Sequence, residues 1–371
     1  MTTKSAPISV LALSAAGSDD RSAYTHRVMM LAQCLRERSI PCDVFNMPDH
    51  PPLDTETTAS LFMPLWLRTL RRASVIYCGA QEAGQALFFC RPFLSAPVIL
   101  DVHGDVIAQS ALANEIESGG ANKSASLRVR LIDRLAMASA DHILTVSKFQ
   151  TETFLRQGIP RQKITLIRNG VDLDVFRQVP FPARPPFTFG YIGDFQSWQG
   201  IDNLIDAFRL VPDPGIRMLL LGFREGDRDL KDRFRSIFGP RVELIDRTDR
   251  STLIQWVRDV GILIIPRIDH PAIRHAFPTK FAEYAAMGRP ILVNSVDETA
   301  DFVTRYQCGF VSAPDPASVA VTMTQAATTD VQALAEMGKR ARIMAQESFS
   351  WDSIGEAYAR IVSTLAQDGR R

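Results

Sequence analysis

The sequence predicts an α/β protein made of two doubly wound domains. Three observations carry this: short Val-, Ile- and Leu-rich runs that are apolar along their whole length, stretches of helical period between them, and a proline-rich break near the middle after which the alternation restarts. Strands apolar on both faces suit a parallel sheet covered by helices on both sides, and their alternation with helices specifies βαβ units. A chain of 371 residues is long enough for two such domains.

ISVLAL, from Ile8, is the first strand, and YTHRVMMLAQCLRER, from Tyr24, the first helix. CDVFNM from Cys42, SVIYCG from Ser74, PVILDVH from Pro97, HILTVS from His142 and KITLIRNG from Lys163 are the strands that follow, with LRVRLIDRLAMASA from Leu127 a helix among them. QVPFPARPPF, Gln178 to Phe187, then places four prolines in ten residues. Missing backbone donors and a fixed φ forbid both helix and central strand, so 179–186 reads as a linker between domains at 1–178 and 187–350. Beyond it FTFGYIG, IRMLLLG, VELID, GILIIP, PILVN and GFVSAP are strands, separated by helical stretches from Gly200, Asp229, Ser251, Pro278 and Asp297. The C-terminal stretch reads as helix only.

Composition narrows the function classes. Lys plus Arg is 42 and Asp plus Glu 41, a net charge of 42 − 41 = +1. A chain so balanced lacks the basic field that nucleic acid requires. Apolar residues at 46% and charged residues at 22% are ordinary for a globular protein. Five cysteines without a CxxC pair argue against a metal cluster or a disulfide framework and suit a reducing compartment. The apolar stretch after Ile8 is too short to span a bilayer and lacks the layout of a signal peptide, so a cytoplasmic protein is expected.

In doubly wound sheets ligands bind at the carboxyl ends of strands, where helix N-termini present N–H groups. The first such loop, SAAGSDDRSAYTHR, carries Gly17, which allows close backbone approach; a plain βα turn is the other reading. Neither the GxGxxG fingerprint nor the P-loop GxxxxGK[ST] is present, which removes the main support for a nicotinamide enzyme or an ATPase. In DVHGD, His103 stands at a strand's carboxyl end, where it can donate or accept a hydrogen bond near neutral pH. A lone histidine there also reads as structural.

Three further blocks, in order, carry a family resemblance. They are TVSKFQ…GIP…KITLIRNGVDLDVF, ending at Phe176; FGYIGDFQSWQGIDNLIDAF, Phe189 to Phe208; and HAFPTKFAEYAAMGRPILVN, His275 to Asn294. Together they resemble the retaining glycosyltransferases of the GT-B fold, the large family that includes sucrose and glycogen synthases. The resemblance implies two Rossmann-like domains facing across a cleft, with the acceptor on the first domain, the nucleotide sugar on the second, and the last helix, 351–371, packed back on the first.

The family has a Glu, seven residues, and a second Glu at its sugar-nucleotide site. The second falls on Glu283, which the resemblance implies accepts hydrogen bonds from the ribose hydroxyls. The first position holds His275, which can hydrogen-bond to the transferred sugar but supplies no fixed negative charge. Between them lie Phe277, Pro278, Thr279 and Lys280. Pro278 suits a helix's first turn, the amides of Thr279 and Lys280 would then aim at a diphosphate, and the Lys280 ammonium would neutralise it. A solvated lysine on an amphipathic helix is the alternative.

In the glycine loop that starts with Gly193, Asp194 and Gln199 occupy the places of an Arg and a Lys that contact the diphosphate in many family members. Compensation is expected from Lys280 with Arg267 and Arg274, although Arg267 also reads as a surface arginine. The resemblance further implies transfer with retention, without metal or cofactor, from a UDP- or GDP-sugar to a glycan or lipid-linked acceptor. His103, Lys280 and His275 are the residues expected at the chemistry, with His103 in a positioning role. A catalytically silent glycan- or protein-binding relative is the second reading. MPLWLRTLRRAS, 63–74, is basic and amphipathic. It could touch an anionic membrane surface or bury its apolar face in the core.

Overall fold

The structure is a computed structural model that describes residues 8–14, 23–46, 69–117, 126–182 and 187–369. The described strands form two six-stranded sheets in which every pair is parallel. The first contains β1 (Val10–Ser14), β2 (Cys42–Asn46), β3 (Val75–Cys78), β4 (Val98–Val102), β5 (His142–Thr145) and β6 (Ile164–Leu166), in the order β2-β1-β3-β4-β5-β6. The second contains β7 (Thr188–Ile192), β8 (Arg217–Phe223), β9 (Val242–Asp246), β10 (Ile262–Ile265), β11 (Ile291–Asn294) and β12 (Gly309–Ser312), in the order β12-β11-β10-β7-β8-β9. Each falls on one of the apolar runs read from the sequence, β1 and β8 extending one residue past theirs, to Ser14 and Phe223. Both sheets reverse direction once, at β1/β3 and at β7/β10, and such switch points are where doubly wound sheets bind ligands.

The chain divides into two units: Met1–Arg168 with Trp351–Arg371, and Asn169–Ser350. The division therefore falls ahead of the proline run rather than within it. Val179 is buried, and the carbonyls of Val179 and Pro180 accept from the Arg289 guanidinium at 2.7 and 2.8 Å. Those bonds, with Arg342 donating to the Phe176 carbonyl, fasten this stretch to the second unit. Residues 183–186 lie outside the described residues.

In the first unit the pleat of β1 sends Val10 and Ala12 to one face and Leu11 and Leu13 to the other, and each pair joins a separate core. The first core is closed by the helices Ala23–Glu37 and Trp351–Asp368. Gly355 lets these helices approach: a β-carbon there would stand 2.7 Å from the Cys34 β-carbon. Cys34 also donates to the Trp351 carbonyl at 3.3 Å, and the Tyr77 and Tyr358 rings meet edge to face at 5.6 Å. In the second unit Phe189 and Tyr191 of β7 pack with Leu204, Ile205 and Phe208 of the Ile201–Leu210 helix. An aromatic cluster of Phe277, Phe281, Phe302 and Phe349 fills another part of that unit.

Among the described residues no helix is long and apolar enough to cross a membrane. The segment 63–68, the first half of the stretch read as a membrane-contact helix, lies outside the described residues, as does Gly17.

Candidate functional site

The second unit builds a compact site at the carboxyl ends of β7 and β10. Gly193 follows β7 with φ at +144°, a value that suits glycine, and a β-carbon there would lie 2.9 Å from the Lys280 Nζ. The absence of a side chain thus lets the lysine head lie on the loop backbone. Lys280 itself comes from the Thr279–Ala286 helix, for which Pro278 stands at the N-cap, one residue ahead of its expected place in the first turn. From the same helix Tyr284 is buried with its hydroxyl donating to the Ile192 carbonyl and accepting from the Ile192 amide, both at 2.8 Å. That pair fixes the end of β7 against the helix that presents Lys280.

The Lys280 ammonium donates to the Tyr191 hydroxyl at 2.8 Å and to Gln199 Oε1 at 3.0 Å, and lies 4.4 Å from the centre of the Tyr191 ring. Burial is the main cause that drives its pKa down to about 7. The Arg267 charge adds to the fall, and Glu283 and Asp194 oppose it.

The loop before the helix is held from inside. Arg267 is buried, forms an ion pair with Asp297, and donates to the carbonyls of Ile273 at 2.7 Å and Ala276 at 3.2 Å. Asp297 also accepts from the Thr299 amide and hydroxyl. Arg267 therefore shapes the loop that carries buried His275, and Asn169 adds a bond from its side-chain amide to the Phe277 carbonyl at 2.9 Å. Arg274 pairs with Asp269 on the short helical turn Pro271–Arg274. Glu283 lies half-buried on the Lys280 helix. The structure thus brings Gly193, Gln199 and Lys280 together directly and commits Arg267 and Arg274 to carboxylates.

Two residues to which no motif assigns a role, Tyr191 and Arg224, complete the picture around Asp194. The Tyr191 hydroxyl, accepting from Lys280, donates to the Asp194 carbonyl at 2.5 Å. The Asp194 carboxylate accepts from Arg224 at 2.8 Å, and Arg224 follows the end of β8. Next to it a cavity of about 530 Å³ is lined by Phe223, Arg224, Glu225, Asp246 and Arg247 around the ends of β8 and β9 and by Arg228 and Lys231 of the Arg228–Phe238 helix. No spacing rule joins Asp194 to Arg224, because they follow successive strands, β7 and β8, with a helix between them.

His103 belongs to the first unit, just past β4. Its ring lies 4.6 Å from that of Tyr24, and its Nε2 is 3.5 Å from an Asp101 carboxylate oxygen, too far and too poorly aimed to count as a bond. Asp101 is instead bound by Arg27 Nε at 2.7 Å and by the Tyr77 hydroxyl at 2.6 Å, all three fully buried. Burial pushes the His103 pKa down to about 4, Asp101 and a Gly79 backbone hydrogen bond pull it up, and Arg27 lowers it further. The imidazole is neutral at physiological pH.

With this geometry in view, the comparisons identify the family. Residues 9–170 match the profile described as "Glycosyl transferase 4-like domain" and residues 186–329 the one described as "Glycosyl transferases group 1". The chain belongs to this glycosyltransferase family, and its two Rossmann-like units are those of the GT-B fold. It is similar to the sucrose-phosphate synthase of Thermosynechococcus elongatus, with a TM-score of 0.74 and 17% identity, covering 97% of this chain and 100% of that one. It is also similar to Anabaena HepE in complex with UDP and glucose, with a TM-score of 0.70, 18% identity, and coverage of 96% and 100%. The capsular polysaccharide biosynthesis glycosyltransferase CapM of Staphylococcus aureus is 20% identical over 255 residues, 64% of this chain and 65% of CapM. The chain spans less than two thirds of the length of the curated relatives it matches.

Proposed function

We propose that the protein is a retaining glycosyltransferase that moves a sugar from a UDP- or GDP-sugar to a glycan or lipid-linked acceptor, on the cytoplasmic side of surface polysaccharide assembly. The observation that carries this reading is the Lys280 head resting on the side-chain-free backbone of Gly193, at the switch point of the second sheet. A half-buried amine beside a helix N-terminus is an anion site built in advance, and a diphosphate is the anion that departs when a nucleotide sugar is cleaved. The likeness to CapM, a glycosyltransferase of capsular polysaccharide biosynthesis, and to HepE in complex with UDP and glucose supports the same reading.

On this reading Lys280 and the first amides of its helix stabilise the charge that develops on the leaving diphosphate, without a metal ion. The acceptor oxygen attacks from the face that the diphosphate leaves, and the departing phosphate takes the acceptor's proton. Glu283 accepts from the ribose hydroxyls. His275 faces the sugar in the place of the family's carboxylate. Neutral His103 hydrogen-bonds to sugar or acceptor and positions it. Arg267 acts by shaping the loop rather than by touching the donor, because Asp297 and two carbonyls already take its donors.

Calorimetric titration of UDP, GDP, ADP and their sugar conjugates into the metal-free protein tests this. One nucleotide should bind in the micromolar range and be lost in Lys280→Ala. Failure of all of them to bind would sink the reading and favour a catalytically silent GT-B protein.

A further inference from the structure

The two arginines expected to make up for the cations absent at positions 194 and 199 are both engaged with carboxylates, Arg267 with Asp297 and Arg274 with Asp269. A different arginine stands beside the loop. Gly193 and Gly222 bring the carboxyl ends of β7 and β8 into backbone contact: a β-carbon on Gly222, at φ +130°, would sit 2.3 Å from the Gly193 carbonyl oxygen. Phe195 stacks on Phe223 at 4.0 Å with the rings 15° apart, which locks the two loops together one residue further on. Between these contacts Arg224 donates to the Asp194 carboxylate at 2.8 Å, each side chain about half exposed (52% and 46%).

Residue 194 is therefore flanked by two cations. Its carbonyl is tied through the Tyr191 hydroxyl to Lys280, and its carboxylate is tied to Arg224. A guanidinium has five N–H donors in a rigid fork, and Asp194 takes one nitrogen. The others remain to meet an anion lying over the Gly193 turn.

We propose that Arg224 is the second cation of the diphosphate site, delivered from the neighbouring strand and oriented by Asp194, so that the acidic residue in the glycine loop recruits an arginine rather than repelling the donor. The assignment rests on the reading of the second unit as a nucleoside-diphosphate site. It gives Asp194 a positioning role and gives Arg224 direct contact with a phosphate oxygen.

The test compares wild type, Arg224→Ala, Arg224→Glu and Lys280→Ala in titrations with the nucleoside diphosphate that wild type prefers, and with its nucleoside followed by NMR shifts. Because Arg224 is half exposed, both of its variants should melt within a few degrees of wild type. Arg224→Ala should weaken the diphosphate about tenfold and Arg224→Glu about a hundredfold, with nucleoside affinity unchanged. Diphosphate affinity within twofold of wild type in Arg224→Ala, alongside loss in Lys280→Ala, would overturn the role of Arg224 and leave the donor site standing. Equal losses for diphosphate and nucleoside would overturn it too, since the damage would not be at a phosphate. A wild type that binds no nucleoside diphosphate would overturn both readings.

Discussion

The Lys280 ammonium and the Tyr191 hydroxyl are joined at 2.8 Å, and the same ammonium lies 4.4 Å from the centre of the tyrosine ring. Tyr191 thereby gives the lysine an oxygen to bond and a π-face to rest on, yet no neutralising charge. Burial first and the Arg267 charge second bring this lysine to about 7 instead of its ordinary 10.5, against the opposing pull of Glu283 and Asp194.

A pH dependence of donor affinity follows. Anion binding favours the protonated amine, so the bound complex takes up a proton wherever the unliganded lysine is neutral. Affinity for a nucleotide sugar, whose diphosphate is capped at both ends and keeps its charge, should be flat below about pH 6 and fall nearly tenfold per pH unit above about 7. Titrations at pH 8 in two buffers of different ionisation enthalpy should show close to one proton taken up. Lys280→Arg, with a cation that cannot be deprotonated, should lose the pH dependence. A wild-type affinity constant from pH 6 to 9 would contradict the assignment.

Gly200 is where the glycine loop meets Pro266, the residue after β10. It has φ at +80°, and a β-carbon there would lie 1.6 Å from the Pro266 carbonyl oxygen. Gly200→Ala must therefore displace backbone at the N-cap of the Ile201–Leu210 helix and move Gln199, one of the two oxygen partners of Lys280. A loss of about 2–4 kcal/mol in urea unfolding is expected, with donor affinity reduced in the protein that remains folded. Gly226, around which a β-carbon would meet nothing, is the control. Its alanine variant should unfold within about 0.5 kcal/mol of wild type.

The sheets were legible because both depend on local pattern: continuous apolar runs mark buried parallel strands whatever the partner strand. The bonds that hold the segment 169–180 were not legible, for the opposite reason. Nothing local says that Arg289 and Arg342, more than a hundred residues away, will bind its carbonyls. The same limit applies to the site. Gly193, Pro278, Lys280 and Glu283 stand in motifs that sequence can display. Tyr191, Tyr284, Asp297 and Arg224 act through bonds set by the order of strands in the sheet. Arg267 was legible as a residue near the site but not as one already paired, since its partner Asp297 follows a different strand.

The Arg267–Asp297 pair gives a prediction with a sign. Both side chains are almost fully buried, at 7% and 3% exposure. Asp297→Ala leaves a buried guanidinium without its counter-charge, which costs about 3–5 kcal/mol. Replacing both partners with apolar residues, Arg267→Met with Asp297→Leu, should recover most of that stability. Donor affinity should stay low in the double variant, because the carbonyls of Ile273 and Ala276 lose the group that gathers them. Additive losses in the double variant would mean that the two residues act independently.

His103 sets the last prediction, through stability rather than binding. Burial lowers its pKa from 6.5 to about 4, with Arg27 contributing in the same direction. Between those values the unfolded chain binds a proton that the folded chain refuses, so stability falls as the pH drops from about 6.5 to about 4. The contribution is about 3 kcal/mol at its fullest. Asp101, which Arg27, His103 and their hydrogen-bonding neighbours hold below the usual carboxylate value against the opposing effect of burial, adds a loss of the same sign at lower pH. Comparing wild type with His103→Gln separates the two, since glutamine keeps polar atoms but cannot titrate. Urea unfolding at pH 7 and at about pH 4.5 should show a wild-type decline that the variant largely lacks. Parallel declines would mean that the imidazole is protonated in the folded protein and acts as a cation beside Asp101.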